Sequence, residues 1–126
     1  MLRVLIAGLM LAGLSLPATA ACLKANTANQ VAECRLTIAN AQDAAGRPEH
    51  PYILHLTGTA CLDGPEPEDK VDSTRTIHVY SFDDKIGAAL RRLVGKSVKV
   101  RGNPFPQHTA HHHAPIVMEV TEIEVQ

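Results

Sequence analysis

The order of the periodic segments along the chain constrains its fold more than any other feature. Five short stretches alternate apolar and polar residues, which is typical of half-buried strands. A stretch between the third and the fourth has apolar residues at helical spacing. This is the chain order of an OB-fold, a partly open Greek-key barrel. The sequence therefore predicts a mainly β, OB-like five-stranded barrel with one helix; the alternative is an α+β fold, an antiparallel sheet with one covering helix.

Helix-capping and turn-forming residues predict where the helix and the strands begin and end. An aspartate pair at 83–84 predicts the start of the helix and Gly95 its end, because aspartate accepts hydrogen bonds from first-turn N–H groups and glycine adopts the backbone that follows a helix. A break in alternation at 121–122 predicts a β-bulge. Residues 58–74 contain glycine, prolines and an acidic run, so we expect a long exposed loop. The strands are predicted at 34–38, 52–57, 76–82, 98–101 and from about 116 to 125.

Residues 1–20 have the three parts of a secretory signal peptide. A basic start precedes an almost wholly apolar run at 4–16, and 17–20 offer the small side chains that an export peptidase requires. The apolar run is shorter than the ~20 residues that span a bilayer, and no later segment is long and apolar enough. We therefore expect cleavage near Ala20 and a periplasmic or secreted domain of residues 21–126.

The charge balance argues against nucleic acid as a partner. Removing residues 1–20 takes away Arg3, one of 12 basic residues, and leaves 11 against 13 acidic residues, a net charge of −2 with neutral histidines. Proteins that bind a phosphate backbone carry a basic patch instead. Two tyrosines, two phenylalanines and no tryptophan also provide few rings for base stacking. We expect one domain that binds a protein or a small ligand in the periplasm.

Three cysteines, Cys22, Cys34 and Cys61, are present in what we expect to be an oxidising compartment. One disulfide leaves one thiol, and counting alone does not rank the three possible pairs. A bridge from Cys22 to Cys61 would tie the N-terminal segment to the domain and contribute roughly 3–4 kcal/mol. The spacing has no C-x-x-C motif of a zinc site. Three positions before Cys22 the chain has Thr19 instead of the leucine-like residue that usually accompanies lipid attachment, so the match to a lipidation site is poor.

The segment His108–His113 contains four of the seven histidines. If residues 111–113 enter the last strand, His111 and His113 point to the same face, and His108 can fold back as a third ligand. Three imidazoles with an open position would bind zinc or copper. The alternative is a structural role, in which the rings bond backbone groups at the strand ends.

A second pair of histidines lies in the predicted second and third strands. His55 and His78 would lie opposite one another on the outer face if these strands pair as a hairpin, and such a cross-strand pair can bind metal. The sequence contains no recognisable pair of a catalytic nucleophile and a general base. We therefore expect a binding or interaction module rather than an enzyme, with zinc or copper binding as the alternative function.

Three segments resemble a bacterial family known as domain of unknown function 4431. They are Tyr52-Ile-Leu-His-Leu with Cys61-Leu-Asp-Gly, the run Leu93–Gly102, and the histidine-rich His108–Met118. The resemblance extends over roughly residues 31–125. It implies a small, exported, single-domain protein without an assigned activity. It also suits a Cys22–Cys61 disulfide, and it provides no counterpart for Cys34.

Overall fold

The computed structural model describes residues 21–126 of the chain, so the predicted signal peptide lies outside the described residues. Within this range, no helix has the length and hydrophobicity needed to cross a membrane. A short 3-10 turn occupies Pro67–Asp69. The elements are β1 (Leu23–Lys24), β2 (Gln30–Ile38), β3 (Ala41–Gln42), β4 (Pro48–Glu49), β5 (Tyr52–Asp63), β6 (Val71–Tyr80), α1 (Asp84–Leu93), β7 (Ser97–Pro106) and β8 (Ile116–Val125).

Five long strands close into a barrel. Strand β2 pairs antiparallel with β5 and with β7, β5 pairs with β6, and β7 pairs with β8. Strands β6 and β8 complete the circle as a parallel pair. The helix α1 lies between the third and fourth long strands. This closed topology confirms the predicted OB-like barrel, and it differs from the open antiparallel sheet of the alternative.

The barrel interior is filled by the apolar members of each alternating strand. Helix α1 begins where the Asp83 carboxylate accepts the N–H groups of Lys85 and Ile86 at 2.9 and 3.0 Å, as the sequence predicted. Its apolar face covers the core. The fully buried residues of the interior include Leu36, Leu54, Ile77, Val79, Leu90, Val98, Val100, Ile116 and Met118.

The predicted bulge in the last strand is confirmed. Arg101 pairs with Glu122, but the next residue, Gly102, pairs with Val120, so Thr121 is the extra residue on β8. The Thr121 hydroxyl donates to the Arg101 carbonyl at 3.1 Å. After the bulge, Ile123 packs against the core as a partly buried residue, whereas Val125 at the end of β8 is 56% exposed.

The predicted long loop at 58–74 is wrong. Strand β5 continues to Asp63 and β6 begins at Val71, so the connection is only residues 64–70. Most side chains of this extended hairpin face solvent on both sides, and a register shift interrupts it between His55 and Ala60. Its sequence therefore lacks the alternation that reveals a half-buried strand.

Two other segments are more ordered than the sequence indicated. In the predicted lead-in, β1 runs parallel to the end of β5, and Ala25 is buried. In the predicted connection at 40–51, β3 and β4 form a small antiparallel hairpin. Strands β3 and β4 have two residues each, which is too short for a periodic pattern.

A disulfide joins Cys22 to Cys61, the pairing that suits the family resemblance, with a Cα–Cα distance of 4.6 Å. It links the segment before β1 to β5, across a sequence separation of 39. Among residues 21–126 the free thiol belongs to Cys34, which is half-buried, with its Sγ 3.1 Å from the Thr57 hydroxyl.

Candidate functional site

Two connections meet beside β6 and form a cleft. The first, residues 39–51, joins the first two long strands, and the second, residues 107–115, joins the last two. In OB-folds these two connections flank the face that binds ligands. The cleft has a volume of about 360 Å³, within the range of roughly 300–1,000 Å³ for small-molecule sites. We call it the histidine cleft; its lining residues are Glu49, His50, Pro51, His78, Tyr80, Phe82, His111 and His112.

A single carboxylate fastens the two connections to each other. Glu49, on β4, accepts a hydrogen bond from His113 Nε2 at 2.8 Å and another from His111 Nδ1. We call this arrangement the Glu49 clamp. The hydrogen bond from His113 holds the pKa of Glu49 below its usual value, and that from His111 adds to the effect, although partial desolvation opposes them. The clamp therefore keeps an ionised carboxylate at the rim of the cleft.

A rigid turn positions Glu49. The Asp43 carboxylate accepts the backbone N–H groups of Ala45 and Arg47, both at 2.9 Å, and the Arg47 side chain at 2.7 Å. These bonds from Arg47, opposed by desolvation, hold the pKa of Asp43 below its usual value. Gly46 adopts φ +78°, which a residue with a side chain rarely reaches. The turn thus fixes the backbone that leads into β4, the strand that ends at Glu49.

His112 stabilises the second connection through hydrogen bonds to its other residues. The ring Nδ1 of His112 accepts the backbone N–H groups of His108 at 3.1 Å and Thr109 at 3.3 Å. The backbone N–H of His112 donates to the Thr109 carbonyl. The Gln107 side chain donates to the His112 carbonyl at 2.9 Å. Burial lowers the pKa of His112, and the neighbouring histidines lower it further.

His78 forms the floor of the cleft. It lies on β6, is only 9% exposed, and accepts the backbone N–H of His113 at its Nδ1 at 3.2 Å. Burial, followed by the charges of His113 and His112, lowers the pKa of His78 to about 4, so the ring is neutral at pH 7. A ring nitrogen that accepts a hydrogen bond carries no proton. The protons of the neutral His78 and His112 rings are therefore on Nε2.

Aromatic rings continue the cleft away from the Glu49 clamp. Phe82 is 85% exposed and packs its ring against that of Tyr80 at a centroid distance of 5.3 Å. Burial, with the charge of Glu119, raises the pKa of Tyr80. Phe105 packs against His112, also at 5.3 Å. Three of the four tyrosine and phenylalanine residues of the chain thus lie on this side of the barrel.

The predicted three-histidine metal geometry is not formed. His111 and His113 direct ring nitrogens at Glu49, whereas His108 packs on His112 and Phe105 at 4.6 and 5.4 Å between centroids. In the described part of the chain, no group of three or more metal-binding side chains is arranged around one point. The condition for that geometry, that residues 111–113 enter the last strand, is not met, because the turn around His112 extends the connection and β8 begins at Ile116, where the sequence predicted it.

The predicted pairing of His55 with His78 is also wrong. The register of β5 and β6 places His78 opposite Ile53 and His55 opposite Thr76. His55 is exposed and its Nε2 lies 3.0 Å from the Thr37 hydroxyl, while His78 is covered by the second connection. The two rings therefore have separate surroundings.

Glu49 is the candidate site residue that the sequence did not reveal. It lies in a polar connection beside His50, where a solitary glutamate is normally a solvated surface residue. Its partners are 62 and 64 residues away in the chain. The available signal was the excess of histidines at 108–113, which require acceptors, but that excess does not identify the acceptor.

Comparison with known proteins finds a similarity between part of this chain and an uncharacterised family. The family described as "Domain of unknown function (DUF4431)" matches residues 76–124, which confirms the resemblance from β6 to β8 and includes the histidine-rich segment. No protein with a curated description matches the chain. Among solved structures, the small single-stranded DNA-binding protein from Streptomyces coelicolor is similar with a TM-score of 0.41 and 18% identity, covering 76% of this chain and 89% of that one.

Proposed function

We propose that this chain is an exported, single-domain binding module that holds its ligand in the histidine cleft. The observation that carries the proposal is the position of the cleft. It lies between the two connections that flank the binding face of OB-folds, and its wall includes the exposed ring of Phe82. A large apolar side chain beside convergent polar groups is the usual composition of a ligand site.

Export is supported by the predicted signal peptide at residues 1–20 and by the disulfide between Cys22 and Cys61. A disulfide persists in the periplasm or outside the cell, whereas cytosolic thiols are kept reduced. Cys22 would be the second residue of the chain after cleavage behind Ala20. Removal of residues 1–20 would therefore leave the described barrel and its bridge complete.

The cleft chemistry favours binding over catalysis or metal storage. The carboxylate of Glu49 is engaged by His111 and His113, which leaves it as a hydrogen-bond acceptor rather than a base beside a nucleophile. Zinc or copper would have to replace the protons that His111 and His113 donate to the carboxylate oxygens of Glu49. Metal binding is therefore an alternative that the same experiment resolves.

The proposal is tested by nuclear magnetic resonance titration of the ¹⁵N-labelled exported protein. Neutral oligosaccharides, peptides, single-stranded oligonucleotides and zinc or copper ions are added separately. We expect at least one class to shift the amide signals of His78, Tyr80 and Phe82, and Phe82→Ala to weaken that response. Ile38→Ala is the matched control, since Ile38 is also an exposed apolar residue but lies outside the cleft. Absence of any response at the cleft would contradict the proposal.

A further inference from the structure

We infer that the histidine cleft binds a neutral sugar, one or more pyranose rings of an oligosaccharide. This inference rests on the proposed function and gives its ligand class. It follows from three features of the cleft that are found together: fixed imidazole donors, an ionised carboxylate acceptor and an exposed aromatic ring. A sugar presents donors, acceptors and an apolar C–H face within a single ring.

The donors are the Nε2–H groups of His78 and His112. Each ring has its Nδ1 committed to a backbone N–H, that of His113 for His78 and those of His108 and Thr109 for His112. Both rings line the cleft, and their centroids are 6.3 Å apart. Because the backbone fixes the proton on Nε2, each ring presents an N–H to the ligand without losing an internal hydrogen bond.

The acceptor is the Glu49 carboxylate. Each of its oxygens accepts one imidazole N–H and retains a further lone pair. A sugar hydroxyl can donate to Glu49, and hydroxyls on the same ring can accept from the His78 and His112 donors. The side chain of Glu49 is 22% exposed, so a ligand reaches it without opening the clamp.

The apolar wall is formed by Phe82 and Tyr80. Phe82 is 85% exposed, and its ring is held edge-on to Tyr80 with an interplanar angle of 71°. The C–H face of a pyranose packs on such a ring and removes it from water, which is favourable by the hydrophobic effect. OB-folds already include oligosaccharide binders at the equivalent connections.

Other ligand classes fit the cleft less well. Of the lysines and arginines in residues 21–126, none lines it, and the charge of Glu49 opposes an anion such as a nucleic-acid phosphate. A metal-bound imidazole donates its other ring N–H to a partner. His78 and His112 do the opposite, because their Nδ1 atoms accept, and so they are unsuited to hold an ion through Nε2.

The test is isothermal titration calorimetry of the exported protein with cellotetraose, maltotetraose and chitotetraose, three neutral oligosaccharides of different linkage or substitution. We expect at least one to bind, Phe82→Ala to weaken that binding at least tenfold, and Phe82→Tyr to retain it. Ile38→Ala should leave it unchanged. Phe82 is on the surface, so loss of binding in Phe82→Ala does not reflect unfolding, and thermal unfolding of each variant checks this.

Failure of the inference and failure of the proposed function give different results. If none of the three sugars binds while an oligonucleotide, a peptide or Zn²⁺ shifts the cleft signals, the sugar inference is wrong and the binding function stands. Sugar binding that is insensitive to Phe82→Ala also overturns the inference. If no class of ligand affects the cleft, both are wrong.

Discussion

Two ties hold distant parts of this chain together, and they differ in kind. The disulfide joins Cys22 to Cys61 across 39 positions, and the Glu49 clamp joins β4 to the second connection across more than sixty. The first tie is covalent and independent of pH and ligand. The second is made of hydrogen bonds between titratable groups. The barrel is therefore fastened permanently on one side, while the cleft is bounded by contacts that respond to their surroundings.

The environments of the two ties agree with this division. The disulfide lies beside Leu62, which is 1% exposed and belongs to the core. In the Glu49 clamp the His113 side chain is 16% exposed, but that of His111 is 67% exposed. Water and ligands therefore reach one arm of the clamp directly. A protein that needed only stability would gain little from such a contact, because exposed ion pairs contribute little free energy.

The largest expected effect comes from breaking the covalent tie. Replacing both Cys22 and Cys61 with alanine should lower the free energy of unfolding by about 4 kcal/mol, since the bridge closes a loop of this length in the unfolded chain. Urea denaturation measures the change, and Cys34→Ala is the control, with an expected loss of less than about 1.5 kcal/mol for one hydrogen bond. A double variant as stable as the control would show that the bridge is dispensable.

The second prediction concerns the pH dependence of stability. His78 has a pKa of about 4 when folded, against 6.5 for an exposed histidine. Between these values the unfolded chain binds a proton that the folded protein does not, so the free energy of unfolding falls as the pH decreases from 6.5 to 4. His78→Asn, which keeps an acceptor for the His113 N–H, should flatten this slope. Phe82→Ala, which removes no titrating group, should preserve it; equal slopes in all three proteins would contradict the account.

A smaller effect is expected from weakening the clamp. Glu49→Gln should make the amides of residues 107–115 exchange with solvent about five- to tenfold faster at pH 7, as expected when a charge-assisted hydrogen bond is lost. Amides in the barrel strands should be unaffected. The pKa of Glu49 is lowered in the folded protein, so the clamp stabilises the fold above the usual glutamate value of 4.5 and is lost as the pH falls below it.

The control for this clamp experiment is Glu68→Gln, which removes an exposed carboxylate in the 64–70 connection. Hydrogen exchange at 107–115 should match the unmodified protein in that variant. Faster exchange in the barrel strands of Glu49→Gln would mean that the clamp supports the whole fold, and the division between the two ties would then be wrong.

The smallest effect is expected at His55. This side chain is exposed and contacts only the Thr37 hydroxyl among the described hydrogen bonds of its ring. His55→Ala should change the free energy of unfolding by less than about 0.5 kcal/mol and leave cleft binding intact. A substantial loss of ligand binding in this variant would place the site on the β2–β5 face instead.

The contrast between the ties also explains what the sequence could predict. Leu36, Val98 and Val100 reveal their strands because one face of each strand is buried, and burial imposes a period of two. The family resemblance suited the Cys22–Cys61 bridge, and the bulge at Thr121 showed as a break in alternation. These features depend on local pattern or on residue type alone.

The Glu49 clamp depends neither on a local sequence pattern nor on residue type alone. Glu49 meets His111 and His113 only because two connections between different strand pairs converge in space. The position of His78 beneath them depends on the register of β5 with β6, which a two-residue shift would change while keeping the apolar face of each strand buried. The histidine cluster was therefore visible in the sequence, but its acceptor and its geometry were not.

The central claim is that backbone bonds fix His78 and His112 as donors in the histidine cleft. Long-range ¹H–¹⁵N correlation spectra of the imidazole rings at pH 7 test it directly, because the two ring nitrogens have different shifts in each tautomer. The account predicts that both rings are neutral with the proton on Nε2. A proton on Nδ1, or a charged ring, at either residue would contradict it.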